Sequence, residues 1–121
     1  MRFTTMPKLV HSRDGQFIED IELKEGRWLI GRRPECDIRV DDETVSGKHA
    51  LLTATSSVYM EGLLDIHIED KGSTNGTTVN GKKVKRHMLK HGEILKIGEH
   101  EFAMVDEATR GFETTTVVLP D

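Results

Sequence analysis

Residues 64–84 read LDIHIEDKGSTNGTTVNGKKV, and two kinds of signal meet in them. Over 64–69 the apolar residues Leu64, Ile66 and Ile68 alternate with Asp65, His67 and Glu69. A period of two is the mark of a strand with one face buried. After Asp70 and Lys71 come ten residues, GSTNGTTVNG, that read as a polar loop with nothing in it to fill a core. They end on Asn80-Gly81 between short β-prone runs at 77–79 and 82–84, the strongest short-range hairpin signal. The stretch therefore reads as strand, polar loop, strand, tight turn, strand.

The same grammar extends in both directions. Further strands are expected at 8–11, 17–23, 27–31, 38–40, 49–54, 94–97 and 101–105. Turn signals lie between them at Asp14-Gly15, Glu25-Gly26, Arg33-Pro34, Gly62 and His91-Gly92. No long window has helical apolar spacing. Regular short strands with turns between them predict an all-β sandwich. The pattern fades after Asp106, so the expected division is an N-terminal tail (1–7), one domain (8–105) and a C-terminal tail (106–121), both tails flexible.

Composition bounds the function. The chain has 121 residues, 17 Lys+Arg against 21 Asp+Glu, and a net charge of −4, which argues against general binding to nucleic acid or membrane surfaces. The single cysteine, Cys36, rules out an internal disulfide and fits a reducing cytoplasm. The opening MRFTTMPKLV has no apolar run of signal-peptide length, and Met6 is an alternative initiator. No segment is long and apolar enough to span a membrane as a helix.

Three segments join a strand to a polar loop: LIGRRPECDIRVDD (29–42), VSGKHALL (45–52) and DKGSTNGTTVNG (70–81). Arginine offers a planar fork of donors that matches phosphate oxygens. Serine and threonine hydroxyls donate single hydrogen bonds, and glycines let backbone N–H groups come close. Taken singly, each loop reads best as a solvated turn; taken together they suggest a phosphate-sized site carried by a rigid sandwich.

Other motifs fail. SGKHA is not a phosphate-binding P-loop, because Asp42 stands where the first glycine belongs and His49 follows the lysine. His87 and His91 have helical metal-ligand spacing but no third ligand and a turn context, and read as solvated turn histidines. His67 reads as an exposed strand residue. Asn75-Gly76-Thr77 is formally a glycosylation sequon, without meaning in a cytosolic protein. The basic run Lys82, Lys83, Lys85, Arg86 and Lys90 reads first as a solvated hairpin face, and second as a patch for an acidic partner or for the residues flanking a phosphate. No catalytic set, metal cluster or cofactor motif emerges, so an enzyme is not expected.

The order Gly31-Arg32, Ser46 with His49, Ser73-Thr74-Asn75-Gly76, then Asn80-Gly81 resembles the forkhead-associated (FHA) domain family. Asp37-Ile38 before Asp41-Asp42, Asp70, Leu89, Gly92, Ile94 and Gly98 extend the likeness over roughly residues 8–105. The resemblance implies an FHA-type (SMAD/FHA-like) β-sandwich of about eleven strands that binds phosphothreonine peptides through loops at one end, as a monomeric signalling adaptor. It implies that Arg32 and Ser46 hold the phosphate, that Thr74 contacts the phosphate or the adjoining peptide, and that Asn75 bonds the peptide backbone. Gly31, His49, Gly76 and Asn80 are then architectural, with Arg33, Lys48 and Ser73 as rim contacts.

The family often carries Arg or Asn directly after the serine; here Gly47 stands there, which removes a contact unless Lys48 or Arg33 reaches in. Gly47 keeps a second reading open, a phosphate-independent scaffold modulated by phosphorylation of its own tail. That tail holds Thr114, Thr115 and Thr116 behind Glu113. About ten residues from Val105 to Thr115 span at most ~35 Å across a domain of roughly 30 Å, so a phosphorylated tail would need nearly its whole length to dock in cis, and docking in trans is at least as open to it; the plainer expectation is an unmodified tail.

Overall fold

The computed structural model describes residues 6–58 and 62–106. Among these residues the chain forms eleven strands and no helix. They are β1 (Lys8–Arg13), β2 (Gln16–Glu22), β3 (Gly26–Gly31), β4 (Ile38–Arg39), β5 (Ala50–Ser56), β6 (Leu64–Asp70), β7 (Thr77–Val79), β8 (Lys82–Lys83), β9 (Arg86–Leu89), β10 (Ile94–Ile97) and β11 (His100–Val105). One six-stranded sheet has the order β2-β1-β11-β10-β7-β8; a five-stranded sheet has the order β4-β3-β5-β6-β9. Pairing is antiparallel except for β3 and β4, which run parallel over Ile30↔Ile38 and Gly31↔Arg39.

The two sheets face each other through the inward residues of each alternation. Ile66 and Ile68 of β6 lie in the core with Leu52 of β5, Ile30 of β3, Leu9 of β1, Leu95 and Ile97 of β10, and Phe102 and Met104 of β11. Fully burying each such side chain contributes about 1.5–3 kcal/mol. A polar seam runs through this interior: His11 Nε2 and His100 Nδ1 are 2.8 Å apart, and His11 stacks on Phe102. His100 Nε2 lies 3.4 Å from the nearly buried Asp42 Oδ2, which links the core to the loop before β5. Burial lowers the pKa of His11, opposed only in part by the Glu19 carboxylate.

Several expectations change. The run 17–23 is a strand, β2, but at the sheet edge: its Phe17 and Ile18 are exposed, and only Leu23, just past its end, is fully buried. The register shift opposite His11 and Ser12 skips Ile18, so a bulge turns the apolar alternation away from the core. The basic run after Lys82 is more than a hairpin face, since Arg86–Leu89 forms β9 and pairs with β6. His87 and His91 are not solvated turn residues. His87 sits on β9 with Nε2 3.0 Å from Glu93 Oε1, and His91 Nδ1 accepts from the Asp106 N–H. His67 is half-buried. Pro7 and Asp106, assigned to the tails, are buried, and the Pro7 carbonyl accepts from the Leu23 N–H. Of the other tail residues Met6 is exposed, and the rest, Thr114 to Thr116 among them, lie outside the described residues.

Candidate functional site

Three loops gather at one end of the sandwich: 32–37 between β3 and β4, 40–49 between β4 and β5, and 71–76 between β6 and β7. The first two touch through backbone. Arg32 N–H donates to Ser46 O at 3.0 Å and Arg33 N–H to Gly47 O at 3.2 Å. This approach requires glycine at position 31, where a Cβ would fall 2.2 Å from Gly47 O. The buried Cys36 thiol donates to the same carbonyl at 3.2 Å, and burial raises its pKa, so it serves as an inert brace. Asp37 Oδ2 accepts from Leu29 N–H at 2.8 Å and closes the loop's base.

Loop 40–49 is shaped by two side chains. Asp42 Oδ1 accepts from the Thr44 N–H at 2.8 Å and the Thr44 hydroxyl at 2.6 Å; these bonds hold its pKa below the ordinary carboxylate value. His49 is fully buried and fastens its own loop to loop 71–76 and to strand β3. Its Nδ1 accepts from Ser46 N–H at 3.0 Å, which places the proton on Nε2, where it donates to Gly76 O at 2.9 Å. Its own N–H donates to Ile30 O, and its carbonyl accepts from Lys71 N–H.

Loop 71–76 is wound around Asp70. Its Oδ1 accepts from the N–H groups of Gly72 and Ser73, each at 2.8 Å, and its Oδ2 from the hydroxyls of Ser73 and Thr77. Burial opposes ionisation of Asp70, but these bonds outweigh it and hold the pKa below the ordinary value. Ser73 Oγ also accepts from Gly76 N–H at 2.9 Å, so the hydroxyl expected at the rim is engaged inside the loop.

Two bonds join this loop to the serine loop. Thr74 N–H donates to Ser46 Oγ at 3.0 Å, and Asn75 Nδ2 donates to Thr44 O at 2.9 Å. Ser46 Oγ is thereby an acceptor, and its own proton has no acceptor among the described residues. The Asn75 carboxamide keeps its oxygen and one N–H for a ligand. Arg32, Thr74 and Asn75 are exposed, and Arg32 forms no ion pair among the described residues. Beside Asn75 a cleft of about 340 Å³ opens between Thr44, Thr78, Lys96 and Gly98. Lys48 is exposed at the rim, whereas Asn80 is built into the β7–β8 turn.

Sequence reasoning had no signal for Thr44, whose carbonyl anchors Asn75, beyond the Asp-x-Thr spacing of a local turn. It noted Asp70 without its role as the centre of the loop.

A rigid sandwich with one end built of cross-braced, anion-suited loops defines a binding module. The family model for the FHA domain matches residues 28–98, and the chain belongs to the FHA family. It is 32% identical over 89 residues to the glycogen accumulation regulator GarA of Mycobacterium tuberculosis, covering 74% of this chain and 51% of GarA. It is 33% identical over 84 residues to the oxoglutarate dehydrogenase inhibitor of Corynebacterium jeikeium, covering 69% of this chain and 54% of the inhibitor. The aligned part of this chain spans about half or less of these relatives, down to 14% for FhaA of M. tuberculosis.

Among solved structures, one from a study of phosphothreonine-dependent FHA domain interactions superposes with a TM-score of 0.72 at 28% identity, covering 84% of this chain and 97% of that one. The FhaA FHA domain, solved in complex with the intracellular domain of another protein, superposes at 0.67 and 30% identity, covering 81% and 98%. FHA domains are binding modules, and no helix among the described residues is long and apolar enough to cross a membrane.

Proposed function

We propose that this FHA domain is a cytoplasmic, monomeric signalling adaptor without catalysis that clamps a phosphothreonine in a partner protein. The observation that carries the reading is the Ser46 hydroxyl. It accepts from Thr74 N–H and so keeps its own proton to donate, while the exposed Arg32, on the loop bonded to Ser46 through backbone, forms no ion pair among the described residues. In this reading Arg32 and Ser46 hold the phosphate, Thr74 lies against it, and Asn75 bonds the peptide backbone. Gly31, His49 and Gly76 fix the loops, and Ser73 braces loop 71–76 rather than touching ligand.

The test is a titration with peptide pools carrying phosphothreonine, phosphoserine or threonine at a fixed position, followed by backbone amide NMR. Shifts centred on Arg32, Ser46, Thr74 and Asn75 for phosphothreonine alone are expected. A hydrogen bond to a charged group contributes about 1.5–3 kcal/mol, so Arg32→Ala is expected to weaken binding about tenfold to a hundredfold without loss of folding. Equal affinity of wild type and Arg32→Ala removes the assignment and leaves the phosphate-independent scaffold, which Gly47 favours.

Thr114, Thr115 and Thr116 are a candidate ligand within the chain itself, docking in trans once phosphorylated. Gel filtration before and after kinase treatment tests this; an unchanged elution volume with phosphate on those threonines rules it out.

A further inference from the structure

Two glycines border the site, and each is roofed by a cation from a neighbouring element. A Cβ on Gly47 would stand 2.8 Å from Arg33 Nε and 3.1 Å from its Cγ. A Cβ on Gly76 would stand 2.4 Å from Lys83 Cε and 3.2 Å from its Nζ. Neither side chain could follow its course over an ordinary residue. Gly47 directly follows Ser46, and Gly76 directly follows Asn75. Each cation therefore lies one residue from a group assigned to the ligand, on two different loops of the site.

Both cations are held from behind. Arg33 N–H donates to Gly47 O, and Lys83 pairs with Thr78 on the strand that leaves the Asn75 loop. Both are weakly engaged in front. Arg33 Nη1 stands 3.8 Å from Glu35 Oε2, with both side chains more than half exposed, and such a pair is readily exchanged for another carboxylate. Lys83 forms no ion pair among the described residues. The chain as a whole carries −4, so these charges stand against its overall sign.

We infer that Arg33 and Lys83 make the site selective for phosphothreonine flanked by aspartate or glutamate, with Gly47 and Gly76 as the floors that let them reach the peptide. The inference rests on the phosphothreonine reading and names the partner sequence that reading leaves open. Gly47 then does not leave a gap in the clamp. It admits Arg33 from the adjoining loop in place of a side chain of its own.

The test compares two phosphothreonine peptide pools, one with Asp and Glu at the three positions on either side and one with Ala, Ser and Gln there, each with its unphosphorylated control. An exposed ion pair contributes up to about fivefold, so two are expected to favour the acidic pool by roughly tenfold at low salt. The preference is expected to shrink as salt rises. Arg33→Gln and Lys83→Gln should each reduce it, and the double variant should abolish it while still requiring phosphate. Gly47→Ala should displace Arg33 and reduce it with no change of charge; amide spectra of each variant check the fold.

Equal binding of the two pools, or a preference that survives in the double variant, overturns the inference while leaving the phosphothreonine site standing. Binding of neither pool, or binding indifferent to phosphate, overturns both.

Discussion

The stretch 72–81 contains Asn-Gly twice, and the two copies do different work. Asn80 and Gly81 both have positive φ, 51° and 84°, and form the turn between β7 and β8. Asn80 Oδ1 accepts from Ile94 N–H at 2.8 Å, and its N–H donates to Ile94 O, so the turn is stitched to β10. Asn75 is not among the residues of positive φ, and its side chain reaches across to Thr44 O with polar capacity to spare. Both glycines have positive φ, 89° at Gly76, so the difference lies in the asparagines: Asn75 presents its side chain, and Asn80 turns the backbone. Local sequence is the same, and the neighbours decide: Asp70 winds the loop around the first, and a strand register of two residues closes on the second.

The sharpest way to break this contrast is Asp70→Ala. It strips four hydrogen-bonded groups of their acceptor and is expected to cost about 2–4 kcal/mol, with phosphopeptide binding lost even in the folded fraction. Denaturant melts alongside calorimetric titration check both halves. Asn80→Ala comes next. It places alanine at a positive φ and removes the bond to Ile94, for an expected loss of about 1–2 kcal/mol in stability with unchanged affinity once folded. Asn75→Ala should do the reverse, weakening binding about fivefold while moving stability by less than about 0.5 kcal/mol. A stability loss at Asn75 as large as that at Asn80 would erase the distinction between the two pairs.

The smallest effect is set by pH. Asp42 and Asp70 are both held below the ordinary carboxylate value of 3.8, so the unfolded chain binds protons first as pH falls. Their contribution is complete above that value and is lost as pH drops through the lower folded values. His11, lowered from 6.5 by burial, works the same way at higher pH: stability is expected to slip as pH falls below about 6.5. Urea midpoints at pH 7.5, 5.5 and 3 trace the two steps, and a midpoint that rises between pH 7.5 and 5.5 contradicts the second.

Much of the fold was legible because burial imposes a period. Ile66 and Ile68 alternate in sequence and are buried in the sandwich, and Asn80-Gly81 turns the chain where its dipeptide says it must. The strand at 17–23 was found as β2, but its exposure could not be read, because a bulge leaves no mark in composition. Strand β9 was missed because it is an edge strand in which Leu89 alone is buried, too few inward residues to make a pattern.

Of the candidate site, the anion-suited loops could be read from their residues, and the roles assigned within them came only from likeness to a family. What assembles it are bonds between residues about thirty apart, Thr74 to Ser46 and Asn75 to Thr44, which no local rule encodes. The fastening role of His49 is of the same kind. Its sequence spacing accounts for the bond to Ser46 but not for the one to Gly76.

The loop 71–76 leaves the five-stranded sheet at β6 and enters the six-stranded sheet at β7, whereas Arg32 and Ser46 sit on loops whose strands all belong to the five-stranded sheet. The mouth of the clamp is thus also the seam of the sandwich. On the proposed reading, a peptide gripped from both lips bridges the two sheets and adds a link between the layers that the empty domain lacks. Load on the two chain ends falls elsewhere, on the β1–β11 pair within one sheet where Lys8 lies opposite Val105, so the grip is kept out of the line of force.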